Sequence, residues 1–143
     1  MDYATVGGAT LGRSLTGVGL NLLTRDAAAL AAFVADVFGL RVVRSSTDFA
    51  LVLHQGQLIQ FHSDAAYAGH PLQNLLPENP PRGTGVQIYL FNTDHDLAAA
   101  SAEAAGGMVL EPPRDKPHGL REATILSREG HAFTAAKPLE DKT

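Results

Sequence analysis

Residues 17–40, GVGLNLLTRDAAALAAFVADVFGL, contain the pattern that decides the fold. Apolar residues dominate from Leu15 to Leu23, in a run typical of a buried strand. Asp26 then opens a predicted helix, and Gly39 ends it. A single amphipathic stripe along this helix is formed by Leu30, Phe33, Val34, Val37 and Phe38. The stretch therefore predicts a strand followed by a helix.

Three short strands are predicted after this helix. They cover Leu40–Arg44, Phe49–His54 and Leu58–His62, with Gln55–Gln57 as a tight turn between the last two. The second half repeats this order as a strand at Val86–Phe91, a helix at Asp94–Ala105, a strand at Met108–Leu110, and a hairpin of Glu122–Leu126 with His131–Ala136.

A constant offset in residue number relates the two halves. Gly17, Asp26 and Gly39 recur 68 positions later as Gly85, Asp94 and Gly107. Gly56 recurs 74 positions later as Gly130, so one insertion of 6 residues is expected in the loop Pro112–Gly119. Because strand start, helix start and helix stop share one offset, we interpret the chain as two copies of a βαβββ unit.

The predicted organisation is one α+β domain with short tails. Residues 1–14 form an N-terminal tail without a clear period, and residues 138–143 form a C-terminal tail. The domain at 15–137 comprises a first module at 15–63, a linker at 64–84 and a second module at 85–137. The linker contains Pro71, Pro77, Pro80 and Pro81, with a short helix expected around Leu72–Leu76.

Composition excludes several classes of function. The chain has 143 residues, of which 45% are hydrophobic and 18% charged, which is ordinary for one packed domain. The net charge of −4 and scattered basic residues argue against a nucleic-acid partner. No apolar run approaches a membrane span, so we expect a cytoplasmic protein with no membrane partner. Zero Cys excludes disulfides and thiolate chemistry.

Three stretches carry a resemblance to a known superfamily. They are Asp26 with Phe33 and Phe38-Gly39-Leu40, then PRGTGVQIYL at 81–90, and PHGLRE at 117–122 before Glu129-Gly130-His131. In this order, residues 15–137 resemble the vicinal oxygen chelate superfamily, which includes glyoxalase, bleomycin-resistance and dioxygenase-like proteins. The resemblance implies tandem βαβββ modules forming a curved mixed sheet around a small-molecule pocket. It also implies a homodimer, because open sheet edges are a liability that relatives cover by pairing.

Metal-dependent members of that superfamily place ligands on the first and fourth strands of each module. The matching positions here are Gly19 and Gln60 in the first module and Gln87 and Thr134 in the second. None of the four supplies an imidazole or a carboxylate. We therefore expect no bound metal and no cofactor, so that the resemblance carries over a pocket without metal chemistry.

Glutamine and aromatic side chains are the predicted pocket lining. Gln60 shares a strand face with His62, and Gln87 shares one with Tyr89 and Phe91. A buried amide needs a hydrogen-bond partner, and two readings stay open: ligand recognition, or a Gln–Gln or Gln–Thr pair that closes the cavity. Tyr89 is expected to pack against a flat ligand, whereas Phe91 is expected to pack in the core.

Arg121 and His118 lie in the loop expected to cap the pocket mouth. Arg121 suits a carboxylate or phosphate, but a surface ion pair with Glu122 or Asp115 is an equal alternative. His62 and His118 are the candidate catalytic bases, and a structural role is the alternative for His62. The remaining histidines are expected to be structural at His54, solvated at His70 and His95, and on the surface at His131.

Two main hypotheses follow. The favoured one is a metal-independent binding protein that sequesters or carries a small, partly aromatic molecule in a pocket lined by Asn21, Gln60, Gln87, Tyr89 and Thr134, with Arg121 at its mouth. The alternative is a lyase, isomerase or dioxygenase-like enzyme that uses His62 or His118 in acid–base chemistry. A third possibility is a partner-binding subunit whose cavity is filled by side chains.

Overall fold

A computed structural model describes residues 1–78 and 81–140. Pro80 of the predicted linker and residues 141–143 of the predicted C-terminal tail lie outside the described residues. The chain divides into two compact units. The first consists of Met1–Ala35 and Leu40–Leu75, and the second of Asp36–Gly39 with the described residues from Leu76 onward.

The first half of the chain forms the predicted βαβββ order. Its elements are α1 (Gly8–Ser14), β1 (Leu20–Thr24), α2 (Ala27–Phe38), β2 (Arg41–Ser45), β3 (Phe49–His54) and β4 (Gln57–Ser63), followed by short 3₁₀ helices at Ala65–Tyr67 and Pro71–Leu75. The sheet has the order β1-β4-β3-β2. Strand β1 pairs with β4 in parallel, and the other pairs are antiparallel.

The second half repeats this topology. Its elements are β5 (Gly83–Phe91), α3 (His95–Ser101), β6 (Met108–Asp115), β7 (Leu120–Leu126) and β8 (His131–Pro138). The sheet order β5-β8-β7-β6 matches that of the first unit, with β5 parallel to β8 and the other neighbours antiparallel. The predicted α+β class with tandem βαβββ modules is confirmed.

Local chemistry explains the main boundaries. The Asp26 carboxylate accepts a hydrogen bond from the backbone N–H of Ala29 at 3.1 Å, which satisfies a free donor at the start of α2. Gly39 ends this helix with a φ of 71°, a conformation that favours glycine. Gln55 and Gly56, with φ of 51° and 77°, form a two-residue turn of the kind whose twist suits a hairpin. The short 3₁₀ helix at Pro71–Leu75 lies where a short helix was predicted.

Each sheet has an apolar face and a polar face. In the first unit, the buried part of the apolar face includes Leu22, Ala50, Val52, Ile59 and Phe61. The corresponding buried set in the second unit is Ile88, Leu90, Ala123, Ile125, Phe133 and Ala135, and α3 contacts three strands of that sheet. We call the opposite surfaces the first polar face, which carries Asn21, Gln60 and His62, and the second polar face, which carries Gln87, Tyr89, Phe91, Glu122, Thr124 and Thr134.

Two sequence predictions of local structure were wrong. The predicted irregular tail contains α1, whose Leu11 is buried, so packing of one apolar residue outweighs the poor helix propensity of its glycines. The first half of the predicted loop Pro112–Gly119 is strand, because β6 continues to Asp115 and leaves only a short turn. Pro112 and Pro113 are tolerated there because β6 is an edge strand, and its pairing with β7 is irregular between Glu111 and Arg114.

Element lengths also differ from the predictions. Strand β1 begins at Leu20 rather than Leu15, and α3 covers only His95–Ser101 of the helix predicted to reach Ala105. Within the described residues, no helix is both long enough and apolar enough to cross a membrane.

Candidate functional site

A chain of hydrogen bonds joins the amide and hydroxyl groups of the second polar face. Gln87 Nε2 donates to Thr134 Oγ1 at 2.9 Å, and the hydroxyls of Thr134 and Thr124 are 2.8 Å apart. Thr134 is completely buried, so this bonding satisfies a hydroxyl that has no access to water. The contact is the Gln–Thr pair that the sequence left open as one of two readings for Gln87.

A buried carboxylate lies on the same face. Glu122, on β7, is only 4% exposed and accepts a hydrogen bond from the Tyr89 hydroxyl at 3.1 Å. Its second oxygen is 3.0 Å from Nε2 of His118, whose side chain is 51% exposed. Burial and the bond to Glu122 raise the pKa of Tyr89, and a hydrogen bond from Gln87 partly offsets this. One carboxylate therefore positions both a phenol and an imidazole.

Tyr89 and Phe91 form an aromatic pair along β5. Their ring centroids are 5.1 Å apart and the rings are nearly parallel, with an interplanar angle of 14°. Phe91 is 50% exposed, so the expectation that it packs in the core was wrong. The strand places it on the polar face with Gln87 and Tyr89, because alternate residues share one face.

Two ion pairs lie on or beside the turn between β6 and β7. Arg121 Nη1 lies 2.7 Å from Asp115 Oδ1, which is one of the two surface partners considered for this arginine. Lys116 pairs with Glu111 and holds the pKa of that carboxyl below its ordinary value. The arginine predicted at the pocket mouth is thus already paired with a carboxylate.

Three side chains are joined on the first polar face. Asn21 Nδ2 donates to the Tyr67 hydroxyl at 2.6 Å, and Asn21 Oδ1 lies 2.6 Å from His62 Nδ1. The His62 ring contacts those of Phe49 and Tyr67, at centroid distances of 4.8 Å and 5.5 Å. Burial lowers the pKa of His62 below its ordinary value.

Sequence reasoning identified Asn21 and His62 but missed Tyr67. The tyrosine lies in the 3₁₀ helix at Ala65–Tyr67, inside the segment predicted as a linker. Its only sequence signal is a lone aromatic residue among small ones just after a strand. Gln60 lies on β4 beside Asn21, and its side chain makes no hydrogen bond to another residue in the described part of the chain.

The structure separates the other histidines. His54 and His62 lie on opposite faces of the β3–β4 hairpin, so they do not converge. His131 is 5% exposed and bonds the Ser127 hydroxyl at 3.0 Å, so its predicted surface role was wrong. The prediction of a solvated His95 was also wrong, because its side chain is only 12% exposed next to Asp96.

The donors present do not fit the metal that the superfamily resemblance implies. Gly19 has no side chain, Gln60 and Gln87 offer neutral amides, and the Thr134 hydroxyl is already bonded to Gln87 and Thr124. Divalent ions in such sites require imidazole or carboxylate ligands. One group of such ligands occurs among the described residues, at Asp94, His95 and Asp96. Asp94 there accepts hydrogen bonds from Asp96 N and Leu97 N as the N-cap of α3.

The repeated βαβββ topology defines a protein of the vicinal oxygen chelate superfamily. The chain belongs to the glyoxalase-like domain family, whose profile matches residues 18–136. No curated protein sequence matches the chain.

Solved structures share the fold at low sequence identity. A glyoxalase/bleomycin resistance protein/dioxygenase family enzyme from Burkholderia phytofirmans PsJN is 22% identical, with a TM-score of 0.68 over 84% of this chain and 96% of that one. TioX from Micromonospora sp. ML1 is 20% identical, with a TM-score of 0.59 over 90% of this chain and 100% of that one. The fosfomycin resistance protein FosX from Mesorhizobium loti is 16% identical, with a TM-score of 0.59 over 87% and 94% of the two chains.

Proposed function

We propose that the chain is a metal-independent small-molecule-binding protein whose ligand lies on the second polar face. One observation carries the proposal: Tyr89 and Phe91 stack in parallel there while half of the Phe91 surface stays exposed. Such a pair offers a flat apolar surface to a planar ligand. A ligand that covers Phe91 would gain the free energy of burying apolar surface.

Polar groups beside the rings support recognition of a specific ligand. Because Gln87 Nε2 donates to Thr134, the amide is fixed in orientation on a face that also carries the two rings. The amide oxygen, at the other side of the same planar group, supplies an acceptor. Apolar walls with a few fixed polar groups are the usual composition of a small-molecule site.

The similar structures support binding of a small molecule without separating a binder from an enzyme. FosX is described as a fosfomycin resistance protein, and the Burkholderia protein as a family enzyme. From these likenesses we carry over to this chain, as part of the proposal, only a site for a small molecule.

A second candidate function, acid–base catalysis, rests on the His118–Glu122–Tyr89 contacts. If His118 is neutral, the N–H that faces Glu122 is on Nε2, which leaves Nδ1 unprotonated as a base. A carboxylate that orients an imidazole in this way is a common arrangement for general acid–base catalysis. This candidate predicts turnover that depends on His118, whereas sequestration predicts none.

The test begins with thermal-shift screening of planar aromatic metabolites and antibiotics, followed by titration of each hit. Tyr89→Ala should weaken a cognate ligand by about 1–3 kcal/mol, roughly ten-fold to a hundred-fold in affinity. Gln87→Leu should cost a similar amount by leaving a ligand polar group unpaired. Tyr3→Ala, outside both sheets, is the matched control and should bind as the wild type does.

Mass spectrometry of each hit after long incubation separates the two candidates. Unchanged ligand supports sequestration. A product that forms with the wild type and disappears in His118→Gln would establish catalysis and overturn the binder. If no hit loses affinity in either Tyr89→Ala or Gln87→Leu, the placement of the ligand on the second polar face is overturned.

A second copy of the chain is the proposed partner. Strand β6 is an edge strand, and its Met108 and Leu110 side chains are exposed. An open edge with exposed apolar residues favours self-association. Light scattering should give about twice the 15.1 kDa of one chain. The double variant Met108→Lys with Leu110→Lys should shift the mass toward the monomer, and a monomeric wild type at micromolar concentration would refute the dimer.

A further inference from the structure

Asn21 fixes the direction of two hydrogen bonds on the first polar face. Its Oδ1 faces His62 Nδ1 at 2.6 Å, and its Nδ2 faces the Tyr67 hydroxyl at 2.6 Å. An amide oxygen only accepts hydrogen bonds, and an amide nitrogen only donates them. The proton positions on both neighbouring side chains therefore follow from the orientation of a single amide.

The histidine presents an acceptor. Because Asn21 Oδ1 requires a donor, the ring proton of His62 lies on Nδ1. A neutral imidazole has one N–H, so Nε2 carries a lone pair. Burial lowers the pKa of His62, which favours this neutral form near pH 7. The His62 ring also contacts the rings of Phe49 and Tyr67.

The tyrosine presents a donor. Its oxygen accepts from Asn21, so its own O–H proton points elsewhere. The ring centroids of His62 and Tyr67 are 5.5 Å apart, and both side chains bond the same Asn21 amide, so the two are neighbours on one small area of surface. Asn21 is exposed, and His62 and Tyr67 are only half-buried, so a ligand has access to the three side chains.

We infer that Asn21, His62 and Tyr67 form a second recognition site that binds a neutral carboxamide-type group, with the ligand N–H donating to His62 Nε2 and the ligand carbonyl accepting from the Tyr67 hydroxyl. Lactams and cyclic imides present the same pair of groups. The inference presupposes a small-molecule-binding protein but uses no residue of the second polar face.

Carboxylates and ammonium groups, the charged counterparts of a carboxamide, do not match the hydrogen bonds that this site offers. A carboxylate has no proton to donate to His62 Nε2, and an ammonium group has no acceptor for the Tyr67 hydroxyl. A polar group left unpaired in a partly desolvated site weakens binding. Benzamide, benzoate and benzylamine therefore make a matched series of probes, in which the phenyl ring is constant and only the polar group changes.

The experiment measures binding of these three probes by NMR at pH 8, where both His62 and the carboxylic acid are deprotonated. Benzamide should shift the signals of His62 and Tyr67 and bind at least about five-fold more tightly than benzoate or benzylamine. Tyr67→Phe, which keeps the ring and removes the hydroxyl, should lower benzamide affinity by about five-fold to ten-fold. Tyr3→Phe is the matched control and should leave it unchanged.

The ¹⁵N shifts of His62 test the direction of bonding independently of any ligand. A proton on Nδ1 and a lone pair on Nε2 are expected. A proton on Nε2, equal or tighter binding of benzoate, or no binding of benzamide would each overturn the inference.

Tyr89→Ala separates this inference from the proposed function. Loss of benzamide binding in that variant alone would place the probe on the second polar face and refute the site at Asn21 while leaving the proposed function intact.

Discussion

The two units share one topology and carry different chemistry on their polar faces. Asn21 and Tyr89, 68 positions apart, occupy equivalent places on the first strand of each unit. Asn21 lies beside Gln60, whereas Tyr89 lies beside Thr134. In the first unit the side chains bonded to Asn21 are an imidazole and a phenol, while in the second a buried carboxylate holds a phenol and an imidazole.

This difference shows which part of a repeated unit is set by folding. Both apolar faces are built from the same types of buried residue, aliphatic side chains and phenylalanine, because each must exclude water to stabilise the sheet. The polar faces have no such common requirement, so their side chains differ between the units. Function is therefore better sought where the two units differ than where they repeat.

The strongest test of this contrast compares phenylalanines on the two kinds of face. Phe61 and Phe133 are completely buried, and replacing either by Ala should lower the free energy of unfolding by about 3–5 kcal/mol. Phe91→Ala, on the second polar face, should cost under about 1 kcal/mol because half of that residue is already exposed. Urea unfolding followed by circular dichroism measures all three. An equal cost for Phe91 and Phe133 would mean that the polar face is core.

The next largest effect concerns the carboxylate that distinguishes the second unit. Glu122→Gln replaces a charged acceptor of two hydrogen bonds by a neutral group, and should lower the free energy of unfolding by about 1–3 kcal/mol. The pKa of Tyr89 should fall part of the way toward its ordinary 10.0, because burial, the larger cause of its increase, remains.

Absorbance titration in a background of Tyr3→Phe and Tyr67→Phe isolates Tyr89. Glu103→Gln, at an exposed carboxylate, serves as the control and should change neither quantity. A Tyr89 pKa that does not move in Glu122→Gln would show that the hydrogen bond makes no contribution.

A smaller effect is expected from protonation of His62 in the first unit. Its pKa in the folded protein lies below the ordinary 6.5, so the unfolded chain binds more protons between the two values. The contribution of neutral His62 to the free energy of unfolding is therefore fully present above about pH 6.5 and is lost as the pH falls toward the pKa of the folded protein. NMR titration should give a His62 midpoint below 6.5, and His62→Phe should remove this part of the pH dependence. A midpoint at or above 6.5 would contradict the burial argument.

The sequence predicted the regular elements because periodicity and turn residues are local signals. The stripe ending at Phe38, the stop at Gly39 and the turn at Gln55-Gly56 all lie where they were expected. α1 was missed because Leu11 is ordered by packing rather than by propensity. The extension of β6 through Pro112 and Pro113 was missed because those prolines are allowed only at a sheet edge, and strand order is not a local property.

The candidate site was predicted only in part. Strand alternation predicted that Gln87 and Tyr89 share a face, and they do. The bond from Tyr89 to Glu122 joins residues 33 positions apart, and the bond from Asn21 to Tyr67 joins residues 46 positions apart. Such pairs depend on strand register and on the path of a connecting segment, which side-chain periodicity does not specify.

The smallest expected effect is at Arg121, and it decides whether the second unit's surface charge has a role in binding. Arg121 and Asp115 are both substantially exposed, so their ion pair is screened by water and should contribute less than about 1 kcal/mol. A double-mutant cycle of Arg121→Gln and Asp115→Asn, measured by urea unfolding, should give a coupling energy in that range that disappears in high salt. Because the arginine is already paired with Asp115, Arg121→Gln should not change the affinity of neutral ligands identified by screening. If the same substitution weakened an anionic hit ten-fold or more, Arg121 would exchange Asp115 for the ligand, and its first predicted role at the pocket mouth would be restored.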